Sequence, residues 1–149
     1  MKGIGVASVL LVALGAACSR SRNTSPEETV QAFVAAMEQS RSEPAQRRRA
    51  FEYLSEAAQA GLAVRAQRAS QLSGHEFEPW EMLAPGRWQL RFQFDPETLM
   101  ARVEGSRAVV TVRGVTGGVA DVPLVREGDR WRVDLDLPPM TSDRPLRDP

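Results

Sequence analysis

Cysteine is nearly missing from this chain of 149 residues, and Cys18 is the only one. No disulfide can form within the chain, so its folded part must be held by packing and hydrogen bonds. Histidine is equally scarce, with His75 alone, which leaves little material for acid–base or metal chemistry. Lysine stops at Lys2, and every later basic residue is arginine. Neither sign of charge is in excess: Lys+Arg and Asp+Glu both number 19, so nothing points to nucleic acid as a partner. No apolar run reaches the roughly 20 residues needed to cross a bilayer as a helix.

What is present begins at the N-terminus. Lys2 supplies a positive start, and the residues from Ile4 to Ala17 are then apolar or small, including Val9-Leu10-Leu11-Val12. That length suits the hydrophobic region of an export signal. Gly15-Ala16-Ala17 lead directly into Cys18. Small side chains are needed there because a signal peptidase binds the backbone closely in an extended form. The segment resembles a lipobox, the site at which bacterial lipoprotein precursors are lipidated and cut. Ala16, Ala17 and Cys18 match its last three positions. Gly15 stands where leucine, valine or isoleucine is usual. The resemblance implies cleavage between Ala17 and Cys18 and lipid on the Cys18 sulfur and amine. An ordinary secretory peptide leaving a free thiol is the alternative, and a lone thiol in an oxidising compartment would be a liability. Ser19, rather than aspartate, follows the cysteine, which favours the outer membrane over inner-membrane retention if the cell has both.

These observations divide the chain into a signal peptide (1–17), a lipidated tether (18–24), a folded domain (25–137) and a proline-rich tail (138–149) expected to be disordered. Ser25-Pro26-Glu27-Glu28 has the form of a helix start, with Ser25 and Glu28 able to cap reciprocally and Pro26 in the first turn. Val30, Phe33, Val34 and Met37 follow at helical spacing. A second helix is expected after Pro44, with Ala50, Phe51 and Leu54 on its apolar side. Ser55-Glu56 opens a third, running to about Leu72 and stopped by Gly74. Pro79–Leu83 suggests one short turn.

The period then changes. Trp88, Leu90, Phe92 and Phe94 alternate with polar residues, which predicts a half-buried strand. Further strands are expected over Leu99–Glu104, Arg107–Arg113, Val119–Arg126 and Arg130–Leu137, with turns at Gly105-Ser106 and Glu127-Gly128-Asp129. No strand is expected before Arg87. Helices first and strands afterwards predict an α+β fold with helices on one face of a curved antiparallel sheet.

Three segments in this order resemble small NTF2-like (SnoaL/cystatin-like) lipoprotein domains. They are Ser-Pro-Glu-Glu-Thr-Val at 25–30 with Phe33, Arg-Ala-Val-Val-Thr-Val at 107–112, and the run from Val122 to Val133. The resemblance implies a cone whose open end can hold a small ligand. Enzymes of that fold place an Asp or His inside the cone, whereas here the inward strand positions are expected to be apolar. Asp121, Asp134 and Asp136 are expected to face outward or lie near strand ends, so no catalytic residue is assigned.

Tyr53, Trp88, Phe92 and Trp131 are candidates for lining a ligand pocket, although in a small domain aromatics more often fill the core. Arg47, Arg48 and Arg49 could touch anionic headgroups, each adding about 1 kcal/mol near such a surface, or form a solvated helix face. His75, with Glu76, Glu78 and Glu81 nearby, reads as a surface histidine rather than a metal ligand, and no cofactor is implied. The expected function is that of a membrane-anchored accessory module contacting an unidentified envelope protein. A periplasmic binder of a small apolar ligand and an NTF2-like isomerase or cyclase are the alternatives.

Overall fold

A computed structural model of the chain describes residues 24–84, 90, 93 and 95–140. The export segment, Cys18, Trp88 and Phe92 lie outside the described residues. Among the described residues the chain forms three α-helices followed by four strands: α1 (Pro26–Gln39), α2 (Ala45–Phe51), α3 (Glu56–Ser73), β1 (Met100–Glu104), β2 (Arg107–Arg113), β3 (Val119–Glu127) and β4 (Arg130–Val133). The strands make an antiparallel meander in the order β1-β2-β3-β4. The fold is therefore α+β, with α1 packed on the sheet.

The start of α1 follows from its first four residues. The Ser25 hydroxyl accepts from the Glu28 amide at 3.2 Å, and the Glu28 carboxylate accepts from the Ser25 amide at 3.0 Å. Two amides that a helix start leaves orphaned are thus satisfied reciprocally. The stripe Val30, Phe33, Val34 and Met37 is buried. It meets Ala108, Val110 and Val112 of β2, Leu124 of β3 and Val133 of β4 in one core. Each fully buried side chain of this size contributes about 1.5–3 kcal/mol. Trp131 joins the same core, with the Arg126 guanidinium 5.9 Å from its ring centroid.

The two tight hairpins depend on glycine. Gly105 and Gly128 both adopt φ 61°, at the first position of two-residue turns. That position needs a positive φ for the turn to match strand twist.

β4 is shorter than the alternation through Leu137 suggests. Asp134 still donates from its amide to the Pro123 carbonyl at 2.9 Å. Pro123 has no N–H to return a bond, so the ladder ends there. Leu135 and Leu137 leave the sheet and pack half-buried against the core. Gly61 in α3 accommodates this stretch: a Cβ there would stand 2.6 Å from Leu137 Cδ1.

Of the alternating segment 88–94, only Leu90 and Gln93 are described, and neither is in a strand. The Gln93 carbonyl accepts from the Val115 amide at 3.0 Å, and the Asp95 amide donates to the Arg113 carbonyl at 3.2 Å. The chain thus runs beside the end of β2, turns through the short 3-10 helix Pro96–Thr98, and continues as β1.

One residue before Arg87 does reach the sheet. Leu54 forms an isolated parallel bridge with Val133. The Val133 amide donates to the Tyr53 carbonyl at 2.8 Å, and the Ser55 amide donates to the Val133 carbonyl at 2.9 Å. Leu54 and Val133 are both fully buried. Ser55 also caps α3, accepting from the Ala58 amide at 3.1 Å while its hydroxyl donates to Asp134 Oδ1 at 2.9 Å.

Ser55→Ala removes the cap and the Asp134 bond together from a buried site. Destabilisation of about 2 kcal/mol is expected, read as a lower urea midpoint at unchanged slope. A loss below about 0.5 kcal/mol would show that the junction carries little of the stability.

Candidate functional site

The bridge at Leu54 also places Tyr53. Gln59 Nε2 reaches back to the Phe51 and Leu54 carbonyls at 3.1 and 3.2 Å, which ties the start of α3 to the chain that leaves α2. The Tyr53 carbonyl is held by β4, so its side chain is directed by a fixed backbone towards the gap between α1 and α2.

That gap is a small groove of about 120 Å³, lined by Ala32, Ala35, Ala36, Gln39, Gln46, Arg49 and Tyr53. Its origin lies in side-chain size. The three alanines sit at i, i+3 and i+4 on α1 and form a low floor. The residues opposite are long and polar, so they rim the groove without filling it.

The polar groups at the rim are unevenly satisfied. Gln46 Nε2 donates to Glu43 Oε2 at 3.0 Å. A carboxylate can only accept, so this contact fixes which way round the amide stands. Gln46 Oε1 then lies buried with no donor. Arg49 is exposed and Tyr53 half-buried, and neither the guanidinium nor the hydroxyl has an ion-pair or hydrogen-bond partner among the described residues. A buried acceptor without a donor is uncommon in folded proteins.

Two residues singled out in the sequence for different reasons thus share one site. Arg49 belongs to the arginine run considered for headgroup contact, and Tyr53 to the aromatic set. Arg48 is exposed on α2 away from the groove lining, and Arg47 is half-buried with its Nε unpaired. Trp131 lies in the core and does not line this groove. Nothing in the sequence marked Gln39, Gln46 or the alanine floor. The available signal was the spacing of Ala32, Ala35 and Ala36, which forms a second small-residue strip beside the buried stripe of α1.

The remaining polar candidates are dispersed. Asp121 is exposed and accepts from the Thr111 hydroxyl at 2.6 Å. Asp134 is used by Ser55, and Asp136 is exposed. His75 is exposed and meets the Phe77 ring edge-on at 4.8 Å between centroids. Among the described residues no group of three or more His, Cys, Asp and Glu side chains is placed to hold a metal ion. A second, wider groove of about 410 Å³ runs between α3 and residues 134–140. It is mainly apolar, with Val64, Leu137, Pro139 and Met140 among its walls.

No family model, curated protein or solved structure matches the chain.

Gln46→Met removes the orphaned acceptor and keeps the side-chain length. A gain in stability of up to about 1 kcal/mol is expected, since an unsatisfied buried oxygen costs about 1–3 kcal/mol and the Glu43 bond is exposed and weak. Tyr53→Phe should leave the urea midpoint nearly unchanged. Clear destabilisation by either substitution would show that these polar groups serve the fold.

Proposed function

We propose that the chain is a membrane-anchored lipoprotein, held by lipid on Cys18 after cleavage behind Ala17, whose domain serves as a non-enzymatic accessory module of the cell envelope. The observation that carries this reading is the run Ile4–Ala17 ending in Gly15-Ala16-Ala17-Cys18, with Cys18 the only cysteine in the chain. Two or three acyl chains on one residue make a lasting anchor, whereas a single chain holds only marginally. No helix among the described residues is long and apolar enough to cross a membrane, so attachment through Cys18 is consistent with the described fold.

The start of the domain supports the same reading. Ser25 is already committed to the cap of α1, so the tether is short. Ser19–Thr24 can span about 20 Å when extended. The Glu27 carboxylate accepts from the Ala101 amide at 3.2 Å, so the chain enters the domain beside the β1 edge. α1 has 14 residues and is about 21 Å long. Arg47–Arg49 follow its far end, a helix length from the tether. The outer membrane is the proposed address, on the strength of Ser19, and an envelope protein the proposed partner. The order of helices and meander agrees with the NTF2-like reading of the domain.

Cys18→Ser tests the anchor. Wild-type protein is expected in the membrane fraction with the added mass of a diacylglyceryl group, and the variant in the soluble fraction without it. Equal membrane retention of both, with no lipid mass on the wild type, would refute the anchor.

A further inference from the structure

The α1–α2 groove offers a pattern of unused hydrogen-bonding groups that defines a ligand chemistry. The exposed Arg49 guanidinium and the half-buried Tyr53 hydroxyl have no protein partner among the described residues and are open to a ligand, and Gln46 Oε1 is a buried acceptor without a donor. The Gln39 side chain, which can give and accept, stands on the same rim. A matching ligand carries an anionic acceptor for Arg49 and Tyr53, and beside it an N–H for Gln46.

Charge and shape narrow the anion. Arg49 is the only cationic side chain in the lining, which suits a single negative charge rather than a dianion. A guanidinium presents a planar fork that pairs with a carboxylate through two parallel bonds. Size narrows the rest. About 120 Å³ is well below the roughly 300–1,000 Å³ of sites that enclose whole metabolites, so the groove takes one end group. Over the floor of Ala32, Ala35 and Ala36, a volume of about 120 Å³ suits a small side chain such as a methyl.

We propose that this groove binds the terminal carboxylate of an N-acylated small amino acid, the C-terminal unit of a peptide or the free acylated residue, with Arg49 and Tyr53 on the carboxylate and Gln46 Oε1 on its N–H. The proposal rests on the groove alone and stands or falls separately from the lipid anchor. It also gives a role to a buried unsatisfied oxygen, which stability by itself would disfavour.

The test is a titration of the full chain in detergent micelles, labelled with 15N in its glutamine side chains. The probes are N-acetylalanine, acetyl-Gly-Gly-Ala, N-acetylalanine methylamide and inorganic phosphate. Saturable shifts of the Gln39 and Gln46 side-chain amides are expected with the first two. N-acetylalanine and the peptide should agree within roughly threefold if the terminal unit alone is held, and a tighter peptide would identify a peptide end as the source. Methylamide and phosphate should bind about tenfold more weakly or not at all, because each breaks the match to the guanidinium fork. Arg49→Gln should weaken N-acetylalanine by about tenfold or more, Tyr53→Phe by less, and Arg48→Gln should change nothing. Equal binding of acid and methylamide, equal binding of phosphate, or undiminished binding by Arg49→Gln would each overturn the proposal. The ligand comparison is made on the unmodified chain, so it decides the matter even if a variant folds poorly.

Discussion

The rest of the structure depends on one short junction, where Tyr53, Leu54 and Ser55 bond to Val133. A four-stranded meander with one covered face needs its helices held in register, and α1 reaches it through apolar contact and the single bond from the Ala101 amide to Glu27. The junction adds direction. Two backbone hydrogen bonds flank the fully buried pair Leu54 and Val133, and Ser55 then begins α3. The end of α2, the start of α3 and the outer edge of β4 are thereby fixed at one point. The Glu127 carboxylate accepting from the Glu56 amide at 2.8 Å, and Arg132 donating to the Glu52 carbonyl, bind the same corner from the β3–β4 hairpin.

The groove between α1 and α2 is a consequence of this arrangement. α2 is a short helix of seven residues, with no side-chain cap at its start. Its position is set at its end, by Gln59 on the Phe51 and Leu54 carbonyls and by Tyr53 on β4. The alanines of α1 would allow closer approach, but Gln46, Arg49 and Tyr53 keep the helices apart. A buried acceptor and two polar side chains without protein partners thus meet where the fold is anchored by its neighbours rather than by the groove itself. Such a division between a rigid frame and an underused polar site is what binding sites require.

Much of the frame was legible in the sequence because its signals are local. Ser25 and Glu28 lie three residues apart and announce the helix they cap. Val30, Phe33, Val34 and Met37 show the face that is buried. The alternation of Arg107–Arg113 and the turns at Gly105 and Gly128 define the meander. The end of β4 was less legible, since it is decided by a proline in a neighbouring strand. Leu54 was not legible as part of a sheet, because a single bridging residue has no period. The groove was invisible for a related reason. Ala32, Ala35 and Ala36 read as good helix formers, and only the placement of α2 makes them a floor. Tyr53 and Arg49 could be singled out by residue type, but their meeting depends on contacts between residues far apart in the chain.

The junction can be tested by native-state amide hydrogen exchange at Ser55 and Val133, the two donors that close it. Both amides are expected to exchange only through global unfolding, with protection equal to that of the β2–β3 ladder. Exchange of either amide through local opening, while Val110 and Leu124 stay protected, would contradict the central place given to this contact.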